Sequence, residues 1–338
     1  MPETTLLVVL IVCFALVFDY INGFHDTANA IATVVSTRVM HPRMAILMAA
    51  GLNFVGALMS TKVAHTIASG LVHETERGSG HPAFQLVVLA AVLGAIVWNL
   101  ITWRFGLPSS SSHALIGGLV GATIVHGGVE LVQWAGLKGK VLLPLVLSPL
   151  SGFFVGFLLM MLIYRLFHNA NPHRVGDAFR RLQILSAASM AFTHGMNDAQ
   201  KSMGIITLAL FSVGIIPTVE VPKWVMVACA VAMALGTSAG GWRIMKTMGH
   251  KIIRLEPVNG FAAETAAAAT IFMSSHWGMP VSTTHCIAGS IFGIGTAKRF
   301  SAVNWTLAKD MVWAWVLTIP AAGTVAAVSY LILRRLGV

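Results

Sequence analysis

The sequence predicts an all-α polytopic membrane protein: two inverted-topology repeats whose broken helices or re-entrant hairpins meet at a midplane site. Three observations predict it. The 338-residue chain is 56% hydrophobic and only 10% charged, whereas soluble domains are about a quarter charged. Apolar runs approaching the ~20 residues that cross a bilayer recur along the chain. Two different motifs also each occur twice, at one and the same separation.

The apolar runs, in order, are 4–20, 44–61, 84–103, 112–126, 141–164, 182–211, 224–242, 258–276, 284–297 and 309–333. The first is expected to be a span rather than a cleaved leader, because Glu3 precedes it, no basic segment does, and further spans follow. Cys13, Cys229 and Cys286 all lie in apolar surroundings and form neither a disulfide framework nor a metal-ligand spacing. A net charge of +10 would suit nucleic acid. Here, however, the Lys and Arg residues cluster in short loops between spans, as orientation signals do, so no nucleic-acid partner is expected. A nucleotide-driven pump is excluded on two grounds: no GxxxxGK[ST] sequence is present, and the loops are too short for a nucleotide domain.

The repeat is explicit. "GFHDTANAI" (23–31) and "GMNDAQKSM" (195–203) share Gly and Asp, and Gly23/Gly195 and Asp26/Asp198 are each 172 positions apart. "GLPSSSSHALIGG" (106–118) and "GMPVSTTHCIAGS" (278–290) share the same offset through Gly106/Gly278, Pro108/Pro280 and His113/His285. The expected organisation is a first transmembrane repeat (1–165), a basic cytoplasmic linker (166–181) and a second, inverted repeat (182–338).

Charge sets the orientation. Segment 243–254 holds Arg243, Lys246, Lys251 and Arg254 with no acid, while the equivalent 71–82 holds Glu74, Glu76 and Arg77. By the positive-inside rule, 71–82, 127–137 and 212–222 are expected outside, and 38–43, 165–181, 243–254 and 298–309 inside. Each half then crosses an odd number of times, which inverts the second relative to the first. Both termini fall outside a cytoplasmic (inner) membrane, with Arg334 and Arg335 the discordant charges. Inverted repeats are a signature of secondary transporters, whose sites form where the halves meet.

The serine motifs carry anion chemistry. Pro108 and Pro280 end the preceding helices, since proline lacks an N–H and restricts the residue before it. Ser109 to Ser112, and Ser282, Thr283 and Thr284, then lead into small-residue helices. Hydroxyls beside free helix N–H groups, at the positive end of the dipole, make an oxyanion site. Such residues also serve as simple caps, but their duplication at a fixed offset favours one shared anion between two helix N-termini.

Asp26 and Asp198 are expected in equivalent breaks of otherwise apolar helices. An ionisable residue at membrane depth is costly and marks function. With Asn22, Asn29 and Asn197 they supply the oxygens that suit Na⁺, or a carboxylate poised to carry a proton. Lys201 lies on the same helical face as Asp198, placed to neutralise it or to contact the anion. His25, His113, His194 and His285 show no metal-ligand spacing, so no metal site is expected and they read as proton carriers or hydrogen-bond partners. Glu264 is a further intramembrane acid, with Val92 at its equivalent position.

These motifs carry a resemblance. "NGFHDTANAIAT" and "THGMNDAQKSMGII" resemble the paired signatures of the PiT inorganic phosphate transporters, and "GLPSSSSH" and "GMPVSTTH" resemble that family's paired serine/threonine motifs. The likeness covers nearly the whole chain. It implies symport of inorganic phosphate with a coupling cation by alternating access, and no enzymatic activity. The anion-binding hydroxyls would be Ser110, Ser111, Ser112, Ser282, Thr283 and Thr284. The cation and coupling positions would be Asp26, Asn29, Asn197, Asp198 and Asn22. The "FHDTAN" wording is closer to the proton-coupled, metal-phosphate branch than to the sodium-coupled one, so H⁺ is expected before Na⁺, with no other cofactor. Partners would be phosphate, membrane lipid and, as an open possibility, a second copy of the chain. The competing readings are a sulfate permease of the same fold and an intramembrane enzyme using Asp26 and Asp198 as a dyad.

Overall fold

The structure is a computed structural model describing residues 2–70 and 82–336. Of the acidic segment 71–82 expected outside the membrane, all but Pro82 lies outside the described residues. The described chain is helical throughout and runs twice through one plan. The first half has a long helix α1 (Pro2–Ser36), the pair α2 (Pro42–Ala57) and α3 (Lys62–Gly70), the hairpin of α4 (Pro82–Phe105) and α5 (Ser111–Gly127), and α6 (Leu143–Leu166). The second has α7 (Pro172–Ser212), the pair α8 (Lys223–Ala239) and α9 (Trp242–Lys246), the hairpin of α10 (Pro257–His276) and α11 (Thr283–Lys298), and α12 (Trp305–Arg335). Residues 172–181 of the basic segment 166–181 form the start of α7, so much of that connection is helix rather than loop.

Local chemistry explains where these helices start. Proline sits in the first turn of α2, α7 and α10, where its missing N–H costs nothing. Asn171 caps α7 by accepting from the His173 N–H at 2.9 Å, and Asn304 caps α12 by accepting from Leu307 at 3.1 Å. The two hairpin tips turn at Gly106 and Gly278, with φ of +67° and +68°, a backbone region where a side chain is strained. The sequence breaks at equivalent places too. α2 and α3 meet at 64°, and α8 and the stretch 242–251 meet at 59°.

Four described helices are long and apolar enough to cross a membrane, and six if each bent pair counts as one span. The broken elements of the expected fold are these bent pairs and the two hairpins. Asp26 and Asp198 do not sit in breaks, contrary to the sequence expectation: α1 and α7 run unbroken through both motifs. The motif residues are small or helix-tolerant, and the polar side chains find partners across helix interfaces, so the backbone ladder has no reason to open.

The halves are interleaved. α1 packs on α8 and α7 on α2; α5 packs on α12 and α11 on α6; α1 and α7 also pack on each other. Close approach at equivalent positions allows it. Gly121 on α5 faces the carbonyl of Gly323 on α12, and Gly293 on α11 faces the carbonyl of Phe153 on α6. In both apolar clusters of the core, side chains from the two halves are mixed: Phe18 with Met203 and Ala322 in one, Ile31 with Met160 and Ile287 in the other.

Candidate functional site

Where α1 and α7 cross, the hairpin tips come in from both sides. α5 begins under its cap Ser110, whose hydroxyl accepts from the His113 N–H at 3.2 Å, and α11 begins under Ser282, which accepts from His285 at 3.2 Å. Ser110 and Ser282 thereby fix the helix starts. The next residues, Ser111, Thr283 and Thr284, are free to point at the aspartates. Ser112 donates to the Val281 carbonyl at 3.0 Å, tying one hairpin tip to the other.

Asp198 is the hub. Lys201 Nζ lies 2.9 Å from its Oδ1. Asn197 donates to Oδ1 at 3.1 Å, Thr283 to Oδ2 at 3.2 Å and Asn22 to Oδ2 at 3.4 Å, and His194 Nε2 stands 3.5 Å from Oδ2. Asp26 has fewer partners. His25 Nδ1 is 2.6 Å from its Oδ1, Ser111 donates to Oδ2 at 3.4 Å and Thr284 to Oδ1 at 3.5 Å. Asn29 donates to Thr284 at 2.9 Å and to Thr283 at 3.5 Å, so an α1 residue holds the hydroxyls of the opposite hairpin. All of these side chains are buried; Lys201 is 1% exposed and Asp198 is fully covered.

Every site residue expected from the sequence therefore falls in one neighbourhood. Three details go beyond the sequence expectations. First, the ligand atoms of Asp26, His194 and Asp198 converge to within 4.8 Å of one another. They come from two helices, so no local spacing could reveal a potential cation site. Second, the repeat exchanges chemistry at equivalent positions: His25 stands where Asn197 does, Asn22 where His194 does, and Asn29 where Lys201 does. Each aspartate thus keeps one adjacent imidazole, while only Asp198 keeps an amine. Third, the sequence reading passed over supporting residues on neighbouring helices. Thr102 contacts His25 at 3.2 Å, Asn53 contacts His194 at 3.1 Å, and Ser275 donates to Asn197 at 3.3 Å. Ring orientation and rotamer are set this way.

His113 and His285, directly after the hydroxyls, meet each other with ring centroids 4.6 Å apart, and His285 stacks on Trp315 at 4.1 Å. Glu264 lies in a separate cluster, accepting from Thr33, Ser186 and Gln183. Beside Ser112 and Lys201 is a void of about 10 Å³, room for about one water. The site side chains are buried in this conformation, and a cavity of about 800 Å³ reaches His113 and His285 beside them.

Chemically, the cluster is a set of hydroxyl donors, an ammonium and two helix N-termini around two carboxylates. It can hold an oxyanion and a cation side by side. The comparisons with known proteins agree with that chemistry. Residues 22–326 match the model of the phosphate transporter family. A probable low-affinity inorganic phosphate transporter of Bacillus subtilis (strain 168) is 48% identical over 98% of both chains, and one of Rhizobium meliloti (strain 1021) is 48% identical over 96% of both. A solved structure titled "The sodium-dependent phosphate transporter" superposes with a TM-score of 0.89 at 26% identity, over 97% of this chain and 99% of the other. With the match spanning both halves and all four motifs, the chain belongs to the phosphate transporter family.

Proposed function

We propose that the protein is a secondary symporter that imports inorganic phosphate by alternating access, coupled to a proton. The observation that carries this reading is the double use of the hydroxyls. Ser111 and Thr284 donate to Asp26, and Thr283 donates to Asp198. A hydroxyl has one proton to donate. Each can turn to a phosphate oxygen only by leaving its carboxylate, which then needs a proton or cation in its place. The anion and the positive charge therefore favour each other's binding, and the coupling is reciprocal. A dianion entering a low-dielectric site also requires that charge, since helix N-termini compensate only in part. Lys201 supplies one positive charge, already shared with Asp198.

Opening the buried site to either side falls to the bent pairs. The break at Gly240, with φ of +75°, and its counterpart after Ala57 lie beside α1 and α7, so a change of bend moves the helices that cover the aspartates. Hinges of this kind sit at element ends.

Ser111→Ala and Thr283→Ala are each expected to weaken phosphate binding by roughly 1–3 kcal/mol, the worth of a hydrogen bond to a charged group. Titration of purified protein with labelled phosphate, with sulfate as competitor, measures it; wild-type affinity in both variants would place the anion elsewhere. The proton coupling is tested by phosphate uptake into liposomes under separate proton and sodium gradients. Uptake driven by sodium alone would reassign the coupling ion.

The reading also commits to an orientation in the inner membrane, with both termini outside. Thr218, in the loop after α7, and Lys251, at the end of the helical segment Thr247–Lys251 that continues α9, are exposed. Single cysteines there, in a background lacking Cys13, Cys229 and Cys286, are expected to react with an impermeant maleimide from outside and from inside, respectively. Reaction of both from one side would overturn the orientation.

A further inference from the structure

One buried acid takes no part in the site described above. Asp19 lies on α1, one turn before Asn22 and two turns before Asp26, and is fully covered. Neither of its carboxyl oxygens has a hydrogen bond of ordinary geometry among the described residues. It faces the hydroxyl of Ser202 on α7 and the thiol of Cys229 on α8. The Ser202 hydroxyl is itself buried and unpartnered, as is the amide oxygen of Asn22. The repeat does not supply this arrangement: Ala191 stands at the position equivalent to Asp19, and Ala30 at that of Ser202.

We infer that Asp19 is a proton-binding site of the transport cycle, distinct from the aspartates at the hydroxyl cluster. The inference rests on the symport reading and adds to the site aspartates a second carboxyl on which a proton rides. An ionised carboxylate here would have neither a direct ion pair nor a hydrogen bond of ordinary geometry among the described residues, which is costly at membrane depth. A protonated one needs only a single acceptor for its O–H, and the Ser202 hydroxyl offers one. A hard monovalent cation is a poorer fit. It requires several oxygen ligands at once, whereas the side chains that contact this carboxyl are one hydroxyl and one thiol, the latter a soft ligand.

The neighbouring charges supply the link to phosphate. The ionisable groups that act on Asp19 are Asp198 and Lys201 of α7 and Cys229 of α8. On the other helices packed against α1, Arg104 of α4 and Arg243 of α9 are exposed at helix ends, and Glu264 of α10 is engaged with Thr33, several turns along α1. One positive charge, Lys201, and one negative charge, Asp198, act on Asp19 from α7. A phosphate that pairs with Lys201 cancels its field at Asp19 and leaves the field of Asp198. The proton then binds more tightly with the anion present, and by linkage the anion binds more tightly with the proton present. The proton passes from the outer water to a carboxyl oxygen of Asp19 and from there to the inner water, so no other reactant is involved.

The test is Asp19→Asn in liposomes, measured beside wild type, with two readouts. One is accumulation of labelled phosphate under an inward proton gradient, with internal pH followed by a trapped dye. The other is exchange of labelled for unlabelled phosphate with no gradient. Wild type is expected to do both. Asp19→Asn is expected to lose gradient-driven accumulation and the matching internal acidification by at least about tenfold, while exchange persists. Gradient-driven accumulation equal to wild type in Asp19→Asn would overturn the assignment of Asp19 alone; absence of proton-driven uptake in wild type would overturn the proton coupling of the proposed symport as well. Should Asp19→Asn not yield monodisperse protein, Asp19→Glu carries the test. It keeps an acid in an altered pocket, so the pH of half-maximal uptake is expected to shift, and an unchanged pH profile would overturn the inference.

Discussion

Asp198→Asn is expected to reduce gradient-driven phosphate uptake to about a tenth of wild type or less, since each 1.4 kcal/mol of lost interaction is roughly tenfold. The substitution keeps the size of the side chain and removes the charge that faces Lys201 at 2.9 Å. An ammonium 1% exposed is then left without its counterion, and breaking a buried pair in this way costs about 3–5 kcal/mol. Asp26→Asn is expected to impair uptake comparably but to disturb the fold less, because Asp26 pairs with an imidazole that can stay neutral. In both variants the dependence of the remaining uptake on the driving cation should flatten. The measurement is initial uptake in liposomes as a function of pH and of sodium. Wild-type rates with an unchanged cation dependence in both variants would return the aspartates to a structural role. The double variant Asp198→Asn/Lys201→Met separates the two effects: it should regain thermal stability over Asp198→Asn while remaining inactive.

The second large effect is on assembly. Gly121→Val and Gly293→Val each place a branched side chain where the partner helix presents a backbone carbonyl, at Gly323 and at Phe153. Ordinary overpacking of a core costs about 1–3 kcal/mol because side chains can yield; a helix backbone cannot yield locally, so the cost should exceed that range. Both variants are expected to lose most monodisperse protein in detergent, and any that survives should melt well below wild type. Gly51→Ala is the control. Nothing lies within 4 Å of a Cβ there, and alanine in a helix should stabilise by roughly 0.5–1 kcal/mol. Wild-type melting in both valine variants would show that α5 and α11 are not held by these contacts.

The contrast between these residues shows what the sequence could reveal. Asp26, Asp198 and the two hydroxyl runs were legible because a single 172-residue offset ties them together, and chance does not duplicate two motifs at one spacing. The offset says which elements are equivalent; it does not say which elements touch. That α5 docks on α12 and α11 on α6 depends on three-dimensional fit, which a list of equivalent glycines cannot convey. The continuity of α1 and α7 was hidden for another reason. Polar residues in an apolar run read equally as a break in the helix or as a helix whose polar face is covered by neighbours, and only the packing distinguishes them. Asp19 stands in plain view inside the first apolar run but was passed over, because it belongs to no repeated motif and the side chains around it come from other helices.

Interleaving also constrains how the protein is made. A chain emerging from the ribosome delivers α1 to α6 well before α8, α11 and α12 exist. During that interval α1 has α4 beside it but lacks α7 and α8, α6 lacks α11, and polar residues of α1 face lipid or insertion machinery. The first half is thus an orphan subunit for as long as translation of the second half takes, and it depends on being sheltered until then. Split at the connection between α6 and α7 and co-expressed, the two pieces should reassemble, whereas the first piece made alone should be cleared by membrane quality control.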